Sequence, residues 1–189
     1  MAQDAARNLS VLEQRQRHRL HEGVKVIDSV TIQASAKRIF EFWSRFENLP
    51  LFIGHLDSVT PLSNQRSLWI WKALNGHKQI EWESVLIESE PYHLISWKTS
   101  PDSEVHHAGS VIFRELPYGR GTVVTVRMLY DPPLGGLADI FERIVGESPQ
   151  YNLMNDLKKL RQLMEVGEIP RVDGQPTGGQ PEEINPALH

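Results

Sequence analysis

Residues 80–99 have the sequence IEWESVLIESEPYHLISWKT, and this stretch decides the fold. Apolar and charged side chains alternate in its first half, which is the pattern of a β-strand with one buried and one solvated face. Glu90-Pro91 marks a turn, and apolar residues resume just after it. Because so short a connection joins antiparallel neighbours, the stretch predicts a β-hairpin that carries Trp82 and Trp97.

Further strands are predicted on both sides of this hairpin, from His55 to Asp131. Turn-forming residues divide that region into strand-length pieces at Pro61-Leu-Ser-Asn64, Asn75-Gly76, Ser100-Pro101-Asp102 and Tyr118-Gly119-Arg120-Gly121. The last strand ends at Asp131-Pro132-Pro133, because proline cannot donate to a ladder. An earlier strand is predicted over Val24–Ile32, which is rich in β-branched residues. Together these signals predict an antiparallel sheet.

Helical patterns flank the strands. Ser35 can cap a helix that ends near Pro50, and its apolar positions are Ile39, Phe42, Trp43 and Phe46. A second helical piece is predicted over 134–145. The last helix starts at Ser148-Pro149, and its apolar stripe consists of Leu153, Leu157, Leu160 and Met164. A long helix laid across an antiparallel sheet is an α+β arrangement.

The composition is that of an ordinary globular protein, with 189 residues, 40% of them hydrophobic and 23% charged. This length favours one domain. The net charge of -4 speaks against a nucleic acid as partner, since such binders usually carry a basic excess. The absence of cysteine excludes disulfides, thiolate zinc sites and cysteine nucleophiles. No apolar run approaches the ~18 residues of a membrane span, so we expect a soluble, cytoplasmic protein.

Three regions are expected along the chain. Residues 1–22 carry four Arg and three acidic residues, and they predict a polar N-terminal arm or helix. Residues 23–166 form the folded domain. Residues 167–189 hold four Gly, four Pro and a net charge of -3. Such a segment cannot bury enough apolar surface to offset its ordering entropy, so we predict a flexible acidic tail.

Large aromatic residues concentrate on one predicted face of the sheet. Because side chains alternate along a strand, charged positions such as Glu81 and Arg127 mark the solvated face. The opposite face carries Trp69, Trp71, Trp82, Trp97, Phe113, Met128 and Tyr130. Rings in such positions either fill a packed core or line an apolar pocket on a curved sheet. The pattern leaves both alternatives open.

Short segments in a specific order accompany this pattern. They are Ser29-Val-Thr-Ile32, Ile39-Phe-Glu-Phe-Trp43, Phe46-Glu-Asn-Leu-Pro50, Glu81-Trp82-Glu83, Ile95-Ser-Trp97, Ala108-Gly-Ser-Val111, Tyr130-Asp-Pro-Pro133 and Asp156-Leu-Lys-Lys-Leu160. In this order they resemble the START-like, or SRPBCC, superfamily, and specifically its bacterial polyketide cyclase/dehydrase branch. The resemblance covers roughly residues 24–176. It implies a helix-grip fold, in which a curved seven-stranded antiparallel sheet wraps around a long C-terminal helix, with two short helices after strand 1.

The resemblance also implies an apolar cavity and a ligand. Superfamily members bind lipids, sterols, quinones, plant hormones or polyketide intermediates, and a minority catalyse cyclisation and dehydration. The seven inward-facing residues named above are therefore the candidate ligand contacts. His55 follows Gly54 at the end of the short helix, so it is either a residue of the cavity mouth or a surface histidine. Some relatives carry an apolar membrane segment ahead of the domain. Here residues 15–21 are polar and rich in arginine, so membrane attachment is not carried over.

His107 and Tyr130 are the candidate catalytic residues. Cyclisation needs a base that removes a proton next to a carbonyl and a donor that holds the enolate. By parity His107 faces inward, whereas Arg114 and Arg127 face outward. A hydrogen-bonded structural histidine is the alternative for His107. No metal is predicted, because His106 and His107 point to opposite faces and no metal-binding histidine spacing occurs.

Three functions stay open. The first is the binding or transport of a hydrophobic small molecule (lipid, quinone or polyketide-like) in an apolar cavity, with no catalysis and no cofactor. The second is a cyclase/dehydratase-type enzyme that uses acid/base chemistry in the same cavity. The third is a protein-interaction module whose cavity is filled by its own side chains. The predicted partner is a hydrophobic small molecule and neither a nucleic acid nor a membrane; a monomer and a weak dimer are both open.

Overall fold

The computed structural model describes residues 24–72, 79–103, 105–131 and 148–167. The predicted N-terminal arm, the Asn75-Gly76 turn, the helical piece over 134–145 and the tail beyond Gly167 lie outside the described residues. The helices and strands are β1 (Val24–Ile32), α1 (Ala36–Trp43), a 3-10 helix (Phe46–Leu51), β2 (Leu56–Pro61), β3 (Arg66–Lys72), β4 (Gln79–Glu90), β5 (Leu94–Thr99), β6 (His106–Glu115), a short 3-10 helix (Pro117–Gly119), β7 (Thr122–Asp131) and α2 (Pro149–Val166).

The strands form one 7-stranded antiparallel sheet with the order β1-β7-β6-β5-β4-β3-β2. Strands β2 to β7 are sequential neighbours, and β1 closes the order by pairing with β7. In the predicted hairpin Leu86 lies opposite Trp97, and a β-bulge falls between Leu86 and Glu88. A second irregularity lies between Leu56 and Ser58. Bulges bend a strand and increase its twist, which favours a curved sheet.

Helix α1 is shorter than the spacing of its apolar residues predicts. Its N-cap Ser35 accepts from the Arg38 N–H as expected, but the helix ends at Trp43. The Ser44 hydroxyl donates to the Phe40 carbonyl at 2.7 Å and satisfies one of the last carbonyls. Phe46, expected in the same helix, starts the 3-10 helix instead, and Pro50 lies inside it. Strand β1 is therefore followed by two short helices, as predicted.

Helix α2 is capped at both ends and lies along β1. The Ser148 side chain accepts from the Tyr151 N–H, and Gly167 ends the helix with φ +83°, a conformation that glycine adopts without steric cost. Its apolar stripe buries Leu157, Leu160 and Met164 against the core. The Gln150 side chain donates to the Ile27 carbonyl of β1 at 3.0 Å. The predicted α+β arrangement, with the long helix against the sheet, is confirmed.

The inner face of the sheet carries the core. Along β6 the side of His107, Val111 and Phe113 is buried, while Arg114 is exposed. Arg127 of β7 is exposed as well, as the alternation predicts. The rings that the sequence placed on one face therefore do face α1 and α2.

Candidate ligand-binding cavity

A cavity of about 80 Å³ lies between the inner face of the sheet and α2. Its wall combines the tryptophans of β3, β4 and β5 with Trp43 of α1 and with Leu153 and Leu157 of α2. Ile53 and His55, which precede β2, also line it and are half-buried. The cavity therefore lies where strands, helix α2 and the segment before β2 meet.

Six of the seven predicted ligand contacts line this cavity: Trp69, Trp71, Trp82, Trp97, Met128 and Tyr130. The seventh, Phe113, is buried outside the cavity wall. Its ring meets those of Phe40 and Trp43 edge-on, with centroid distances of 5.7 and 6.3 Å. Helix α1 packs on this part of β6, so its rings cover Phe113. The alternation of a strand predicts which face a side chain takes, and the covering helix decides whether a cavity remains there.

The strand tryptophans form a continuous aromatic wall. Trp69 and Trp82 are directly opposite each other in the β3–β4 pairing, with centroids 6.0 Å apart. Trp71 meets Trp82 edge-on at 4.8 Å. Trp97 stacks on Trp69 at 6.2 Å with an interplanar angle of 24°. Contacts between rings on different strands thus hold a continuous apolar surface at the cavity.

Two of the indoles in this wall have serine partners. The Trp69 Nε1–H donates to the Ser67 Oγ at 2.8 Å, and the Trp82 Nε1–H donates to the Ser84 Oγ at 3.1 Å. Each serine lies two residues from its tryptophan, on the same face of the same strand. Trp97 differs, because its buried Nε1 has no hydrogen-bond partner within the described ranges.

His107 lines the cavity and is 3% exposed. Its ring lies 5.3 Å from that of Trp82, 6.0 Å from Trp69 and 6.4 Å from Tyr130, centroid to centroid. Neither ring nitrogen has a hydrogen-bond partner among the described residues. Burial, with a smaller effect of the neighbouring His106, lowers the pKa of His107 from 6.5 to about 3. The imidazole is therefore neutral at physiological pH, with one N–H donor and one acceptor nitrogen.

The wall of the cavity includes a carboxylate that sequence reasoning did not assign. Asp156 of α2 accepts from the Gly54 N–H at 3.2 Å and from the Lys159 ammonium at 3.3 Å. Burial raises its pKa, against the opposing effects of these two hydrogen bonds and of His55. The signal was an acidic residue directly beside Leu157 in the apolar stripe. Asp156 thereby ties α2 to the segment that precedes β2.

A family model matches most of the chain. The match covers residues 32–158, and the family is described as polyketide cyclase / dehydrase and lipid transport. The chain belongs to the polyketide cyclase/dehydrase family. The resemblance found in the short sequence segments is thereby confirmed.

Solved structures agree with this family membership. DR_A0006 from Deinococcus radiodurans is 31% identical, with a TM-score of 0.62 over 77% of this chain and 100% of that one. A START superfamily protein from Mycobacterium smegmatis is 14% identical, with a TM-score of 0.57 over 73% and 97%. The di-domain ARO/CYC BexL from the BE-7585A biosynthetic pathway is 22% identical, with a TM-score of 0.53 over 75% and 50%. The last two show the fold alone. No curated protein matches the chain.

The seven-stranded sheet and the C-terminal helix match the START-like helix-grip fold, and the description of the family includes lipid transport. Within the described ranges, no three His, Asp or Glu side chains come together as a metal site requires. None of the described helices is long and apolar enough to cross a membrane.

Proposed function

We propose that this protein binds and carries a hydrophobic small molecule in its cavity without catalysing a reaction on it. The observation that carries the proposal is the wall itself, in which four strand tryptophans meet Leu153 and Leu157. Burying an aromatic or aliphatic ligand against such a surface is favourable by roughly 25 cal/mol for each Å² of apolar area removed from water. Lipids, quinones and polyketide-like molecules all have this apolar surface.

The protonation states of the two candidate catalytic residues favour carriage over catalysis. A general base works best when its pKa lies near the operating pH. The pKa of His107 is about 3, so the neutral imidazole binds a proton weakly. Burial raises the pKa of Tyr130, so its phenol is a poor acid. A pair that neither accepts nor releases a proton readily is suited to holding a ligand by hydrogen bonds.

The size of the cavity limits what enters without a change of shape. An engineered cavity of about 150 Å³ admits benzene, and drug-sized ligands occupy about 300–1,000 Å³. The space here is about 80 Å³, so a larger ligand has to widen it. This small volume is also the observation that favours the second candidate, an interaction module whose side chains fill its own cavity. Direct detection of a ligand separates the two functions.

The test is ligand recovery from protein that has been purified without detergent. Native mass spectrometry, followed by organic extraction, is expected to show one bound hydrophobic molecule per chain. Tryptophan fluorescence should also respond to one of three probes: palmitate, a short-chain ubiquinone analogue and an anthraquinone. A protein that yields no ligand and whose fluorescence ignores all three probes is not a carrier.

A matched pair of variants places the ligand in the cavity. Leu153→Trp adds a large ring at a half-buried lining position, so it should displace the ligand. Tyr151→Trp adds an indole two residues away on the same helix, at an exposed position outside the cavity wall, so it should retain the ligand. Equal ligand content in both variants would place the ligand elsewhere.

A further inference from the structure

The wall of the cavity contains buried polar atoms that no described residue satisfies. Both ring nitrogens of His107 and the Nε1 of Trp97 are buried without a partner among the described residues. The two rings share a neighbour, since the Trp69 ring lies 6.0 Å from that of His107 and 6.2 Å from that of Trp97, centroid to centroid. We call these three residues the His107 subsite. Buried polar groups in native proteins are nearly always hydrogen-bonded, so such a cluster needs an explanation.

The contrast with the neighbouring strands shows that the chain can supply such partners. Trp69 and Trp82 each have a serine two residues away. The corresponding position for Trp97 is Thr99, whose hydroxyl instead accepts from the His107 N–H at 3.2 Å. Thr99 therefore fixes the backbone of His107 while both rings keep their polar atoms available. The same cavity has one more such group, the buried Nε1 of Trp43, which also has no partner in the described part of the chain.

The charges around the subsite narrow the kind of ligand. The described lining residues include neither Lys nor Arg, and their carboxylate, Asp156, already accepts from the Gly54 N–H and the Lys159 ammonium. Burial keeps His107 neutral, because its pKa is about 3. An anionic ligand would therefore lose its hydration without gaining a cation, which is costly in an apolar site. The available groups are N–H donors and one acceptor nitrogen, which match hydroxyl and carbonyl oxygens.

We propose that the ligand is an uncharged ring compound with hydroxyl or carbonyl oxygens, and that the His107 subsite selects it by hydrogen bonds at the cavity wall. This inference rests on the proposed function and adds the chemical class of the molecule. It separates the three ligand types above, since an oxygen-bearing ring fits the subsite and a fatty-acid carboxylate does not.

Three single-ring probes of similar bulk test the selection: p-cresol, p-xylene and p-toluate. Binding is followed by NMR through the indole N–H signals, of which the chain has five. We expect p-cresol to bind about fivefold more tightly than p-xylene, the effect of one net hydrogen bond. We expect p-toluate to bind most weakly of the three. The Trp97 signal should move further with p-cresol than those of Trp69 and Trp82, whose N–H groups already have serine acceptors.

Two variants of His107 assign the selection to this residue. His107→Leu removes both ring nitrogens and leaves the Trp97 Nε1–H, so the affinity ratio of p-cresol to p-xylene should fall clearly below that of the wild type while p-xylene still binds. His107→Gln retains a donor and an acceptor, so it should keep part of the preference. Near-ultraviolet circular dichroism shows whether each variant keeps its packed aromatic wall.

The outcomes separate this inference from the proposed function. Equal affinity for the three probes, tightest binding of p-toluate, or a preference that is undiminished in His107→Leu would overturn the selection and leave a hydrophobic carrier. Failure of all three probes to move any indole signal would also overturn it, and ligand recovery from the purified protein would then decide the proposed function by itself.

Discussion

Gly109 lies directly opposite Trp97 in the pairing of β5 with β6, and the Trp97 indole occupies the space above the glycine. A Cβ atom at position 109 would lie 2.6 Å from the Trp97 Cε2 and 2.8 Å from the Met128 Sδ. Real Cβ atoms do not approach their neighbours this closely, so the missing side chain is what lets the ring lie flat. The aromatic wall of the cavity therefore depends on a residue that has no side chain of its own.

Gly109→Ala is accordingly expected to destabilise the fold. Inserting a methyl group into a packed site costs about 1–3 kcal/mol, because neighbouring rings have to leave their preferred rotamers. Urea unfolding measures the change in free energy. In a Trp97→Phe background the clashing part of the indole is gone, so the same substitution should cost much less. Equal losses in both backgrounds would show that the two residues do not interact.

The architecture could be predicted because the spacing of apolar residues within short segments indicates whether they form a strand or a helix. The alternation around Trp82 and the Glu90-Pro91 turn were enough to predict the hairpin. Ser148-Pro149 was enough to predict where α2 begins. These signals are short-range, and each is read from fewer than ten neighbouring residues.

The details of the cavity could not be predicted, because they depend on residues far apart in sequence. Strand alternation places both Phe113 and Met128 on the inner face of the sheet. Helix α1 covers Phe113, however, whereas Met128 lines the cavity. Asp156 gains its role from Gly54, a residue 102 positions away. That the polar ring atoms of Trp97 and His107 have no partner among the described residues likewise appears only when three strands are placed side by side. The alternation along a strand predicts which face of the sheet a side chain takes, and tertiary packing decides whether that side chain lines a cavity or is covered.

Ser84→Ala is expected to lower stability more than its small volume change implies. Ser84 is fully buried and accepts from the Trp82 Nε1–H, so alanine would leave this donor unpaired. An unsatisfied buried donor costs about 1–3 kcal/mol. Thermal or urea unfolding provides the measurement. The control is Ser110→Ala in β6, a half-buried serine on the outer face of the sheet, where little change in stability is expected. A loss no larger than that of the control would show that the bond contributes nothing.

Asp156→Asn is expected to stabilise the protein at neutral pH. Burial raises the pKa of Asp156, so the folded state holds a proton that the unfolded chain releases above its ordinary pKa of 3.8. The stability that comes from this bound proton is fully present below pH 3.8, and it is lost as the pH rises through the pKa of Asp156 in the folded state. Asparagine cannot ionise, and its Oδ1 can still accept from the Gly54 N–H.

Thermal unfolding at pH 7 and at a pH below 3.8 tests whether Asp156→Asn stabilises the protein. The midpoint of Asp156→Asn should exceed that of the wild type at pH 7, and the difference should shrink below pH 3.8. Asp156→Ala is the control, because it removes the charge and also leaves the Gly54 N–H without its acceptor. An Asn variant that melts below the wild type at pH 7 would mean that the partly exposed Lys159 pair outweighs the cost of burial.

His107 is expected to make the fold sensitive to acid. Burial lowers its pKa from 6.5 to about 3, so between these values the unfolded chain binds a proton that the folded chain does not. Stability should therefore fall as the pH drops below 6.5, by up to about 1.4 kcal/mol per pH unit until the folded pKa is reached. Because burial raises the pKa of the facing Tyr130, its phenol stays protonated throughout this window.

In His107→Leu the contribution of the imidazole is absent, so the difference in unfolding free energy between variant and wild type should grow steadily from pH 6.5 to pH 4. Val126→Ala alters the same cavity without removing a titratable group, so its unfolding free energy should change with pH in parallel with that of the wild type. A His107→Leu curve that also runs parallel would show that the imidazole is already protonated, or solvated, in the folded state.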